Sequence, residues 1–156
     1  MKVAIRKAKA KDLDALQDMF KALIKHESRV DPLIKLNRSS LSKAKGYYRK
    51  ALRKSNSIIL IAENENVPVG FIYGWIERTP DIFKLKKRGY ICDAFVKKNF
   101  RERGIGTVLT KEILRFFKSK KVSWVKLTVY SKNINSVNVW RSLGFKDNMI
   151  EMKKLI

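Results

Sequence analysis

Apolar and polar positions alternate from Val3 through "VAIRKA", the two-residue period of a half-buried strand. The period then lengthens. Leu13, Leu16, Met19, Phe20, Leu23 and Ile24 recur at helical spacing, with Asp12 and Asp14 in the first turn, where the helix dipole favours acids. The stretch "HESRVDPLIKLN" breaks that pattern, and Pro32 forbids a continuous helix. Ser39 or Ser40 then caps a second helix predicted to run to about Lys54.

"SIILIAE" is β-branched and apolar, "NENVP" has the chemistry of a turn, and "VGFIYGWIE" resumes the extended pattern, so residues 57 to 77 are predicted to form a hairpin. The loop "RTPDIFKLKKRG" leads into a further strand, "YICDAFV". From Gly104, the positions Ile105, Val108, Leu109, Ile113, Phe116 and Phe117 mark a helix ending near Ser119. "WVKLTVY" reads as a strand, "NSVNVWRSL" as a short helix closed by Gly144, and "MIEMKKLI" as a final strand. The order predicts a meander of antiparallel strands followed by one strand-helix-strand crossover that gives a parallel pair. The fold class is α+β. Without a repeat or a linker composition, residues 1–156 are expected to form one domain.

Between the strand "YICDAFV" and the crossover helix lies "RERGIGTVL", with two glycines one residue apart among arginines. A helix begins with backbone N–H groups that have no partner inside the helix, and its dipole adds partial positive charge there. Gly104 and Gly106 leave room for an anion to approach those amides, Arg101 and Arg103 add charge, and Thr107 adds a hydroxyl. The expected guest is a phosphate or pyrophosphate; a tight strand-to-helix turn with no guest would use the same glycines. A Walker loop is excluded because no Gly-Lys-Ser/Thr follows, and the dinucleotide fingerprint fails at Leu109, where it needs glycine.

The segment "FVKKNFRERGIGTVLTKEIL" resembles the Arg/Gln-x-x-Gly-x-Gly/Ala block of the GNAT superfamily of acyl-CoA-dependent N-acetyltransferases, through Arg101, Gly104 and Gly106. A second block, "NINSVNVWRSLGF", is similar to that family's Asn-x-x-Ala followed by an aromatic residue and Leu-Gly-Phe, through Asn133, Ser136, Trp140, Leu143, Gly144 and Phe145. The resemblance implies a mixed central sheet of about six strands with a splayed parallel pair, flanked by about four helices. It also implies acetyl-CoA as acyl donor and transfer to a primary amine. The amides of Arg101, Glu102, Arg103, Gly104, Ile105, Gly106 and Thr107 would hold its diphosphate. The strand end at Phe95 and Val96 would pair with the pantetheine arm, and an amide near Val96 would polarise the thioester carbonyl. Asn133, with Ser136 and Trp140 of the second block, would contact the cofactor from the other side.

Acyl transfer to an amine needs a neutral nitrogen, which calls for a base. Asp93, in an apolar strand just before the expected cofactor edge, is the candidate; an ion pair with a nearby Lys or Arg is the alternative reading, and Glu77 is the competing base. The family's tyrosine acid is replaced here by Trp140, whose indole cannot release a proton in that range. Tyr130 is a substitute, and a thiolate also leaves without help. His26 stands alone and is expected to end the first helix; no metal set accompanies it. Cys92 reads as inert core. The aromatics Phe71, Tyr73 and Trp75 are expected in the core and in the wall of an acceptor cleft, and the basic loop Phe83 to Gly89 is expected near its entrance.

Composition then widens the list of partners. The chain has 36 Lys and Arg against 14 Asp and Glu, a formal charge of +22. Such a field attracts nucleic acid, a ribosome, an acidic protein or a polyphosphate cofactor, and a lysine-rich compositional bias would look the same. The cluster of Lys84, Lys86, Lys87, Arg88, Lys97, Lys98, Arg101 and Arg103 against Asp93 and Glu102 is expected to steer the anionic cofactor. No apolar run reaches the roughly 18 residues of a membrane helix, so no membrane partner is expected, and the early charges argue against a secretory signal. One cysteine permits no internal disulfide. The expected location is the cytoplasm. The acceptor amine is open among a protein N-terminus, a lysine and a small amine. A non-catalytic module binding CoA or nucleic acid is the alternative from another class, and pairing of two copies through sheet edges or C-terminal strands is expected by analogy with GNAT proteins.

Overall fold

Strand β1 (Val3–Lys7) pairs antiparallel with β2 (Ser57–Asn64), β2 with β3 (Val67–Arg78), and β3 with β4 (Lys87–Val96); β5 (Val125–Leu127) joins β4 in parallel. The sheet order is β1-β2-β3-β4-β5. This is a computed structural model, and it describes residues 3–37 and 39–156. Four α-helices accompany the sheet: α1 (Leu13–Val30), α2 (Ser40–Ala51), α3 (Ile105–Ser119) and α4 (Ile134–Ser142). Among the described residues no helix is long and apolar enough to cross a membrane.

β2 is apolar at successive positions because helices cover both faces of the sheet. Ile58, Leu60 and Ala62 pack toward Leu109, Ile113 and Phe117 of α3, whereas Ile59 and Ile61 pack toward Leu16 and Met19 of α1 and Tyr48 of α2. The turn between β2 and β3 has Glu65 and Asn66 both at positive φ, 51° and 65°, the mirror-image turn whose twist suits a two-residue hairpin. α3 lies close on its face. A Cβ at Gly74 would sit 2.5 Å from the Tyr90 carbonyl oxygen and 3.0 Å from Ile113, so that position excludes a side chain.

Several boundaries differ from the sequence expectations. α1 does not stop at "HES" but continues to Val30, because the chain leaves helical geometry only at Asp31, beside Pro32. His26 therefore lies within the helix and does not end it. α2 closes at Ala51, short of Lys54. β5 has only three residues of the expected seven. Among the described residues the sheet has five strands, not about six: residues 149–156, expected as a final strand, pair with no described edge. Met149, Ile150 and Met152 stay exposed, and Lys153 is tied by an ion pair to Asp31 at the end of α1. A chain segment becomes a strand only where an edge accepts it.

Candidate active site

The strand β4 has a partner on its β5 side only from Gly89 to Ile91, opposite Val125 to Leu127. From Cys92 to Val96 it is paired with β3 alone. The parallel strands therefore part halfway along β4, leaving a length of backbone edge open. Opposite β3 the register slips at the same place: Asp93 faces Tyr73 and Ile91 faces Gly74, so Cys92 is the extra residue of a β-bulge. A regular strand would send Cys92 and Asp93 to opposite faces. The bulge lets both look toward α1 and α2. Ile91, Ala94 and Val96 pack on the α3 side, while Cys92 and Phe95 join the other cluster.

Asp93 is buried, 9% exposed, and the Tyr48 hydroxyl donates to its Oδ2 at 2.9 Å. The Cys92 thiol lies 3.6 Å from Oδ1, and the Tyr47 hydroxyl 3.8 Å from the Cys92 sulfur. Among the described residues no Lys or Arg is paired with Asp93. Burial raises the Asp93 pKa above the ordinary carboxylate value, and the Tyr48 and Cys92 contacts only partly offset it. Burial likewise pushes the Cys92 thiol up to about 12, helped by the charge of Asp93, so it stays protonated at neutral pH and is no nucleophile. Glu27 on α1 is the residue that sequence reasoning missed. It is half-buried, and both burial and the nearby Asp93 charge raise its pKa. Tyr130 lies near it, its own pKa raised by burial and then by Glu27.

Glu77, the competing base, accepts from Arg88 Nε at 2.8 Å and sits 3.5 Å from Lys126 Nζ, so it is held as an ion pair near the start of β4. The basic loop from Phe83 to Gly89 caps that same end. It does not border the Asp93 cleft, so the expected single basic cluster is split between the two ends of β4. The strand has ten residues, which separates those ends by about 30 Å.

At the Val96 end the glycine turn has two kinds of glycine. Gly104 adopts φ 75° as the residue before α3, a left-handed conformation that favours glycine. Gly106 has no such need: a Cβ there would meet nothing within 4 Å. No side chain caps α3, so its first amides have no side-chain partner in the turn, and Glu102 at φ 61° helps turn the chain toward them. Arg101 folds back on β4, with Nε donating to the Val96 carbonyl at 2.8 Å and the guanidinium 5.5 Å from the Phe95 ring. The Arg103 guanidinium lies 5.8 Å from the Phe100 ring. A cavity of about 330 Å³ opens between α1 and this end of β4, lined by His26, Arg29, Phe95, Lys97 and Arg101 among others. Ile105 is buried, and Thr107 is half-buried on the first turn of α3.

Across the parted strands, Asn133 precedes α4 and its side chain accepts from the Ser136 amide at 3.3 Å. Its Nδ2 lies 3.5 Å from His26 Nε2. Trp140 packs edge-on to Phe145, centroids 5.4 Å apart, against the core on the α3 side. Trp140 is thus engaged by the protein itself.

A family model for the acetyltransferase (GNAT) family matches residues 20–145. The chain belongs to the GNAT family. It is an acetyl-CoA-dependent N-acetyltransferase, and the non-catalytic reading finds no support. Among its relatives, an N-alpha-acetyltransferase of Sulfurisphaera tokodaii is 30% identical over 125 residues, 76% of this chain and 75% of that protein. Among solved structures, a mutant protein of Bacillus halodurans superposes with a TM-score of 0.87 at 20% identity, over 98% of this chain and 99% of that one. A predicted acetyltransferase of Clostridium acetobutylicum, crystallised with acetyl-CoA, superposes with a TM-score of 0.77 at 20% identity, over 97% of this chain and 96% of that one.

Proposed function

We propose that this GNAT enzyme transfers the acetyl group of acetyl-CoA to the α-amino group of a protein or peptide N-terminus, with Asp93 as the base. The observation that carries this reading is a pair of acids, Asp93 and Glu27, gathered with no ion-pair partner among the described residues beside the open edge of β4 in a chain of charge +22. A cationic amine is drawn to such a pair, and the positive surface elsewhere competes poorly for it. The printed name of the Sulfurisphaera relative points the same way.

The ammonium gives up one proton to solvent, the neutral amine's lone pair forms the C–N bond at the thioester carbonyl as the Asp93 carboxylate takes its second proton, and the C–S bond breaks. CoA leaves as a thiolate, which takes a proton from solvent or from Tyr130. The acid pair's raised pKa values favour this: a carboxylate closer in pKa to the amine is the better base. An α-amine suits a modest base. With an ordinary pKa near 8, about one α-amine in ten is neutral at pH 7, against about one lysine in a few thousand. The amides from Arg101 to Thr107 hold the donor's diphosphate, with Gly106 giving it room. The backbone at Phe95 and Val96 pairs with the pantetheine arm, and Asn133, Ser136 and Trp140 shape the far wall.

Thiol release with two peptides tests this reading: one with a free α-amine and no lysine, the other with a blocked N-terminus and one lysine. The first is the better substrate by at least roughly tenfold in kcat/KM. Equal rates, or preference for the lysine peptide, would overturn the acceptor assignment. Gly106→Asp raises KM for acetyl-CoA by roughly tenfold or more, because it brings a negative charge to the phosphate site; an unchanged KM would remove the diphosphate from this turn.

A further inference from the structure

The loop between β3 and β4, residues 79–86, presents apolar side chains to solvent. Ile82 is 87% exposed, Phe83 54% and Leu85 50%. The loop is ordered nonetheless. The Thr79 amide donates to the Lys86 carbonyl at 3.0 Å, the Phe83 amide donates to the Pro80 carbonyl at 3.0 Å, and the Thr79 hydroxyl bonds the Leu85 carbonyl. These bonds fold the loop upon itself and leave the three side chains outside. Around it stand Lys84, Lys86 and Lys87 from the loop and the start of β4, and Lys118, Lys120 and Lys121 from the end of α3, joined where the Lys87 ammonium donates to the Lys120 carbonyl. Trp124 lies on the same rim, under the Arg88 guanidinium at 5.5 Å. The acids here are few: Glu77 is paired with Arg88 and Lys126, which leaves Asp81.

We propose that this end of the sheet docks on the surface of an anionic lipid bilayer, with Ile82, Phe83 and Leu85 entering the interface and the surrounding lysines lying at the headgroups. Two features choose lipid over other polyanions and over a protein. Nucleic acid gives the aliphatic Ile82 and Leu85 nothing to enter, whereas the acyl boundary does. Protein interfaces are depleted in lysine, whereas an anionic leaflet attracts each one, adding to the apolar insertion. The chain needs no membrane-spanning segment for this, and the Val96 end of β4, about 30 Å away along the strand, stays open to acetyl-CoA.

Sedimentation with vesicles tests the proposal, using the full chain with vesicles of phosphatidylglycerol mixed equally with phosphatidylcholine, and with phosphatidylcholine alone. The chain is expected to sediment with the first and stay in solution with the second. The double variants Ile82→Ser/Phe83→Ser and Lys84→Glu/Lys118→Glu each weaken association by roughly tenfold or more. Because all four side chains lie outside the core, thermal melts and peptide acetylation in solution stay as in the parent. A parent chain that remains in solution with the anionic vesicles would overturn the proposal. So would unchanged vesicle binding in the apolar variant, together with displacement of the vesicles by a single-stranded RNA oligonucleotide, since that is the behaviour of a bare polycation.

Discussion

Asp12 and Asp93 are both buried, 3% and 9% exposed, yet the molecule treats them in opposite ways. At the junction of β1 and α1, Asp12 takes two hydrogen bonds from Arg6, at 2.7 and 2.8 Å, and one from the Lys9 amide at 2.7 Å. The Arg6 bonds hold its pKa below the ordinary value of 3.8 in spite of burial. At the bulge of β4, Asp93 has a tyrosine and a thiol for neighbours, and burial holds its pKa above that value. One acid is locked as an ion and serves the fold. The other is left short of partners in a cleft, where the proposed reaction would hand it the proton of an amine.

The two sites are separable by substitution. Asp93→Asn should have the largest effect: kcat/KM falls by about two to three orders of magnitude, the usual worth of a positioned base, while the melting temperature is kept. A loss of folding with activity retained per folded molecule would reverse the assignment. Asp12→Asn should do the contrary, lowering unfolding free energy by about 2 kcal/mol through the lost charged hydrogen bonds and leaving kcat/KM of the folded enzyme alone. Denaturant titration alongside thiol-release kinetics reads both.

Tyr48→Phe is a smaller change that sharpens the contrast. It removes a donor that favours the Asp93 carboxylate, so the acid limb of the rate profile moves to higher pH. At neutral pH the rate falls only a few-fold, and stability falls by about 1 kcal/mol. The smallest effect is in stability against pH. Asp12 has a depressed folded pKa, so its contribution is present above 3.8 and is lost as pH falls through the folded value. Asp93 has a raised one, so its contribution is full below 3.8 and is lost as pH rises through its folded value. Asp93→Asn therefore flattens the upper part of that curve and Asp12→Asn the lower part, as acid and urea melts would show.

The residues that carried the reading from sequence were those whose chemistry is local. Gly104 sits at a strand-to-helix turn that needs its positive φ whatever surrounds it, and Gly106 follows one residue on. Asp93 was visible as a lone acid in an apolar strand. Other features depend on partners distant in the chain. The bulge at Cys92 is a matter of register against β3, and nothing in "YICDAFV" distinguishes it from a regular strand. Glu27 was hidden because Pro32 drew the end of α1 too early, and Tyr48, in "GYYRK", looks like any aromatic on a core-facing helix. The final strand is absent because the apolar residues of "MIEMKKLI" cannot tell whether an edge awaits them.

In the proposed reaction Asp93 takes the proton from an attacking α-amine. The most direct measurement is the pH dependence of kcat/KM for a lysine-free peptide, compared between the parent enzyme and Asp93→Asn. The parent should show an acid limb set by a carboxylate titrating above its ordinary range, and the variant should lack that limb at a far lower rate. The same limb and the same plateau in both proteins would contradict it.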